Sequence, residues 1–258
     1  GGRGPCVRAP LTRWQRPAPR APPHHGGRVV AHAAPSPTPG VGVGPQDGQG
    51  RPRLIRPAVF EGLEGVIAGF TTRAMGDLSC SCPALQDPSD PRHAALLEDI
   101  GAHAAFRWAV PRLVHGTSAL SVTAPGLYEG HDALVTSERG LLVGSTAADC
   151  ATVLFADPAA GVVGTCHAGW RGAAGGVVGE AVRRLLAEGC SPGGLRAFVS
   201  PCLSVEMFEV GEEVAEQFPP EFVMCSPGWG ERPHVDLKRF LESELLGLGV
   251  GQVEVHSG

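Results

Sequence analysis

Along the chain from about residue 90 onward, apolar positions recur in two rhythms. Short β-rich runs at Ala133–Thr136, Leu141–Thr146, Ala151–Phe155, Val162–His167 and Leu195–Ser200 end in turn residues such as Asp157-Pro158 and Gly161, the pattern of buried strands. Between them the spacing lengthens. Val177, Val178, Ala181, Val182, Leu185 and Leu186 predict a helix over 173–188, closed by Gly189. Residues 92–106 place His93, Leu96, Leu97 and Ile100 on one helical face, and Glu209–Phe218 forms another predicted helix, stopped by Pro219-Pro220. A last helix, capped by Asp236, carries Leu237, Phe240, Leu241, Leu245 and Leu248. Segment 64–72 reads as a first strand ending at Arg73. The alternation predicts an α/β fold class: a single layered domain with a mixed β-sheet flanked by helices.

The first 57 residues break both rhythms. Residues 1–50 hold six arginines and one acid, Asp47, so they carry +5 while the whole 258-residue chain carries −5, leaving −10 for the remainder. Text such as RPAPRAPPHHGG cannot bury enough apolar surface to offset its ordering entropy, which predicts a disordered leader over 1–57 and a folded domain over 58–258. An Arg-rich, acid-poor leader is similar to an organelle transit peptide. Expected locations are therefore the cytoplasm or a plastid or other organelle, without secretion. The acidic folded part argues against a nucleic-acid surface, and no apolar run approaches the roughly 18 residues of a membrane span.

Residue usage excludes whole reaction classes. The single lysine, Lys238, lies in the last predicted helix, so no Walker phosphate loop exists and a Schiff base would have to use that one side chain. The eight cysteines include no C-x-x-C pair, which removes zinc-ribbon and thioredoxin readings; mostly free thiols are expected, with Cys80 and Cys82 an incidental close pair.

What remains is a set of soft ligands at predicted loop edges. His115, Cys150 and His167 lie in the strings VHG, TAADC and CHAGWRG. Two imidazoles and a thiolate fill three corners of a tetrahedral zinc site, and three protein ligands rather than four mark a catalytic metal. Strand alternation over 162–167 sends His167 to one face with Thr165 and Val163, and Cys166 to the other, so Cys150 is the thiol expected beside His167. Gly116, Gly169 and Gly172 beside the histidines permit close backbone approach.

The strings GFTTR (69–73), VHG (114–116), HDALVT (131–136), TAADC (146–150), ADPAAGVVGTCHAGWRG (156–172), SPCLS (200–204), FEVGEEV (208–214) and HVDL (234–237) together resemble the laccase-domain, YfiH-like family. That group was once described as multicopper polyphenol oxidases and is now associated with purine nucleoside metabolism. The resemblance implies a fold shared with toxin deamidases and zinc on His115, Cys150 and His167, with copper the other metal suggested by the older description. It also implies phosphorolysis of adenosine, inosine, guanosine or methylthioadenosine, and hydrolytic deamination of adenosine. Purine nucleosides and phosphate are then the small-molecule partners. Asp149, beside Cys150, is the candidate proton-shuttling carboxylate; Arg73 and Arg171 are candidate phosphate contacts, and Trp170 a candidate surface for stacking on the base. The family pattern also departs from this chain: Leu113 stands where Gln is usual, DLSCSCPALQDP replaces an Asn-Leu segment, and the chain is expected to stop short of a C-terminal Cys-Thr motif.

Three other functions stay open. A metal-free Cys/His hydrolase or amidase would use Cys150 as nucleophile and His167 as base. Copper-dependent polyphenol oxidation needs clustered imidazoles, usually as H-x-H pairs, and the chain has none. A non-catalytic regulatory protein would use its acidic surface for a partner.

Overall fold

The structure is a computed structural model that describes residues 54–75, 78, 89–102, 105–226 and 228–257. Of the expected leader, 1–53 lie outside these residues, as do Cys6, Cys80 and Cys82. Residues 54–57 enter the fold: β1 (Leu54–Ile55) pairs antiparallel with β2 (Phe70–Thr71). The strand expected over 64–72 is thus reduced to its last residues, because Gly65 turns the chain with positive φ. Helix α1 spans Pro91–Ile100 and ends at Gly101, well before the expected residue 106, and Arg107 already belongs to the next strand.

Two sheets stack behind a layer of helices. β3 (Arg107–Arg112) is the centre of a three-stranded sheet, flanked in parallel by β5 (Gly126–Glu129) and β7 (Leu141–Val143). The larger sheet contains β4 (Ala119–Ser121), β6 (Ala133–Thr136), β8 (Ala151–Asp157), β9 (Val162–Ala168), β10 (Arg196–Val199) and β13 (Gln252–Val255). Its order is β13-β10-β8-β9-β6-β4, with parallel pairs at both edges and antiparallel pairs in the middle. A two-stranded pair, β11 (Val223–Met224) and β12 (His234–Val235), completes the strands. The mixed α/β layering expected from the sequence is present.

The larger sheet is apolar on both faces, which explains the continuous hydrophobic runs of its central strands. On one face Val135, Val153, Phe155, Cys166 and Ala197 meet helices α3 (Val177–Ala187) and α5 (Leu237–Gly247) through Val178, Leu185, Phe240, Leu241 and Leu245. On the other, Leu134 packs with Ala109 and Leu141 of the second sheet and with Val122, which follows β4, and Phe198 packs with Phe60. Asp236 caps α5 as expected, accepting the N–H of Arg239 at 3.0 Å.

Two further helices differ from expectation. The run over 173–188 is broken: α2 (Trp170–Gly175) ends at Gly176, whose φ of 96° belongs to the left-handed region, and α3 restarts one residue on. The helix over Glu209–Phe218 shrinks to α4 (Glu212–Ala215), because Glu209 and Val210 are drawn into bonding with the strand around His234.

Candidate metal centre

One end of the larger sheet gathers chemistry from distant parts of the chain. β8 and β9 are antiparallel, so the start of one abuts the end of the other, with Ala151 opposite Ala168 and Thr152 opposite His167. Cys150, the residue before β8, is thereby placed beside the last turn of β9. β6 also runs against β9, with Ala133 opposite Cys166, so Asp132 lies next to His167. Parallel pairing of β4 with β6 brings the loop that precedes β4, and His115 with it, to the same end.

The nitrogen and sulfur ligand atoms of His115, Cys150 and His167 lie within 4.8 Å of one another. The two imidazoles meet edge to face, with centroids 4.8 Å apart and planes at 84°. Among the described residues this is the one group of three or more His, Cys, Asp or Glu side chains able to hold a metal ion. Tetrahedral zinc with ordinary bond lengths would space such atoms about 3.3–3.6 Å apart, so small side-chain rotations bring the donors to bonding distance. The donor set fits zinc, whose preferences cover both imidazole and thiolate. A four-copper centre does not fit, since its many imidazoles are missing from the group.

Asp132, which sequence reasoning passed over, is the hub of the site. Its carboxylate is wholly buried. It accepts hydrogen bonds from the backbone N–H groups of His115 at 2.9 Å and Gly116 at 2.7 Å, and lies 3.1 Å from His167 Nδ1. Burial pushes the Asp132 carboxyl up, but His167 and the N–H groups of Gly116 and His115 outweigh it and hold the group below the usual carboxylate range. His167, also buried, loses basicity to burial and regains more from Asp132 and from a hydrogen bond with Cys150, so it stands above the ordinary imidazole range. The signal available in the sequence was the aspartate of HDALVT, an acid immediately before a mainly apolar strand.

Backbone conformation supports the same site. His115 has φ of 54°, the one positive value among described non-glycine residues, where an L-residue pays roughly 1–2 kcal/mol. Strained positions of this kind concentrate at functional sites. Gly169 closes the group from below: a Cβ there would lie 3.0 Å from Cys150 Sγ, 3.1 Å from His115 Cδ2 and 3.2 Å from His167 Cε1. A Cβ on Gly172 would lie 2.8 Å from the Gly116 carbonyl oxygen. The glycines of HAGWRG therefore let α2 press directly on the His115 loop.

The other expected residues are placed differently. Asp149 is exposed beside Cys150 and outside the ligand group, while its backbone carbonyl accepts the N–H of Leu203 at 3.0 Å. Trp170 is half-buried and packs on the helical core, with the exposed Arg171 guanidinium 4.3 Å from its ring centroid. Arg73 is exposed in a short 3-10 turn, Arg73–Met75. None of the described cysteines forms a disulfide. Among the described residues, no helix is long and apolar enough to cross a membrane.

Residues 89–258 match a family model described as multi-copper polyphenol oxidoreductase laccase. A purine nucleoside phosphorylase of Deinococcus radiodurans is 40% identical over 199 residues, which covers 72% of this chain and 76% of that protein. Adenosine deaminase RL5, from an unknown prokaryotic organism, is 34% identical over 128 residues, 47% of this chain and 48% of that one. The crystal structure of YlmD from Geobacillus stearothermophilus superposes with a TM-score of 0.57 at 28% identity, covering 66% of this chain and 70% of that one.

Proposed function

We propose that this chain, which belongs to the multi-copper polyphenol oxidoreductase laccase family, is a zinc-dependent enzyme of purine nucleosides. The observation that carries the reading is the convergence of His115, Cys150 and His167 within 4.8 Å. Similarity to proteins named purine nucleoside phosphorylase and adenosine deaminase supports the substrate class. The reactions are phosphorolysis of adenosine, inosine, guanosine or methylthioadenosine, and hydrolytic deamination of adenosine. His115, Cys150 and His167 would hold a zinc ion, whose Lewis acidity would lower the pKa of water toward neutrality, the chemistry that deamination at C6 of adenine requires.

The chain's own residues set the geometry of the reaction. His167 and Asp132 form the buried wall, whereas His115 is exposed, so substrate approaches from the His115 side. Asp149, exposed and adjacent to Cys150, carries protons between the attacking water and the departing amine. In phosphorolysis the anion attacks C1′ as the purine leaves, and Arg171 and Arg73 are the forked cations for it. Trp170 serves as a stacking surface for the base once the Arg171 guanidinium, 4.3 Å from its ring centroid, turns away to the phosphate.

A second reading has its own observation. Asp132, His167 and Cys150 follow one another as acid, imidazole and thiol, the order of a nucleophilic triad, which would suit a metal-free hydrolase or amidase. His115 separates the two, since a triad has no use for a third soft ligand.

The test is incubation with adenosine or inosine, with and without phosphate, following free base and ammonia. Wild type is expected to release both products and Cys150→Ala neither. Equal turnover by the two proteins would remove the proposed site.

A further inference from the structure

We propose that Asp132, which is not itself a ligand, is a positioning residue that aligns both histidines of the group at once; the inference rests on the reading of His115, Cys150 and His167 as metal ligands. Its side chain forms hydrogen bonds with two separate pieces of chain, the end of β9 and the loop that holds His115. On the strand side, His167 Nδ1 lies 3.1 Å from Asp132 Oδ1, and the backbone N–H of His167 donates to the Asp132 carbonyl at 2.7 Å. On the loop side, Oδ1 also accepts the N–H of His115 at 2.9 Å, and Oδ2 that of Gly116 at 2.7 Å. The Val114 N–H reaches both oxygens at 3.3 and 3.4 Å.

Each half of this clamp has a chemical consequence. A carboxylate at Nδ1 keeps the proton there, so the lone pair of His167 is presented at Nε2, toward Cys150 and His115. Successive N–H groups converging on an anion form a nest, which stabilises the left-handed conformation of His115 and fixes where its ring emerges. Asparagine has nearly the same shape but one acceptor oxygen and an N–H₂ donor. Its single oxygen can serve His115 and His167, or Gly116, but not all three, and its N–H₂ donor then faces another N–H at the position left over.

Zinc affinity, measured by competition with a chromophoric chelator, distinguishes this role from simple structural support. Asp132→Asn is expected to weaken zinc binding about 10–100-fold while circular dichroism shows a folded chain. Thr136→Val is the control: it deletes a buried hydrogen bond to the Val122 carbonyl, 2.7 Å long, at the far end of β6, the strand that follows Asp132. That variant is expected to melt earlier yet bind zinc like wild type. Ring-nitrogen NMR of zinc-loaded wild type is expected to show His167 protonated at Nδ1 and bound through Nε2, and it decides the matter if Asp132→Asn does not fold. Wild-type affinity in Asp132→Asn, or zinc bound through Nδ1 of His167, would overturn the proposal. A wild type that binds no zinc would overturn the metal reading itself.

Discussion

Gly169 shows how one residue without a side chain can matter as much as a ligand. Its missing Cβ leaves room for the side chains of Cys150, His115 and His167, which would otherwise be met at 3.0–3.2 Å, tighter than ordinary contact. Gly169→Ala must push those atoms outward by a few tenths of an ångström, and catalytic geometry is sensitive at that scale. Zinc affinity and adenosine turnover are expected to fall roughly tenfold or more, with the melting temperature of the metal-free chain little changed, as checked by chelator competition and calorimetry. At this scale the sequence was readable where chemistry was local. His115, Cys150 and His167 stood out because glycines or a strand end framed them. Asp132 did not, because its partners are 16, 17 and 35 positions away and an isolated acid before a strand looks like any turn residue.

Elements were legible where their own periodicity matched their burial. β8, β9, α3 and α5 are apolar on the faces they bury, and each was visible as a run. β3 was not, since RWAVPR carries two arginines and a proline, and only the flanking strands make it a central one. The break between α2 and α3 was hidden for a related reason: Gly175-Gly176 interrupts a periodic run without changing its hydrophobic spacing. That break lets α2 point along the His115 loop while α3 lies across the sheet. Gly176→Ala would hold an alanine at φ of 96° and is expected to lower stability by roughly 1–2 kcal/mol, read as a shift of the urea midpoint. A midpoint unchanged from wild type would mean that α2 and α3 can merge into one helix, contrary to the packing described.

For the molecule as a whole, the site is a seam among three separate stretches of chain. His115 follows β3 of the smaller sheet, whereas Cys150 and His167 lie at the end of the larger one. An ion that bridges them binds the folded state and has no equivalent site in the unfolded chain, so it adds stability by mass action. At free zinc one hundred times its dissociation constant the gain is about 2.7 kcal/mol, which raises the melting temperature by several degrees for a domain of this size. His115→Ala is expected to lose most of that shift, as scanning calorimetry with and without zinc will show. The mixed α/β class and the layering were readable from the alternation of strands and helices. The second sheet was not, because its strands are short, parallel and held by partners distant in sequence.

We propose that one zinc ion, held by His115, Cys150 and His167, is required for purine nucleoside turnover. The direct measurement is metal content by elemental analysis alongside adenosine turnover, before chelation, after chelation, and during titration back with zinc. One zinc per chain is expected, with activity lost on chelation and restored in proportion to zinc until that ratio is reached. Full turnover by protein shown to contain no metal would contradict the account.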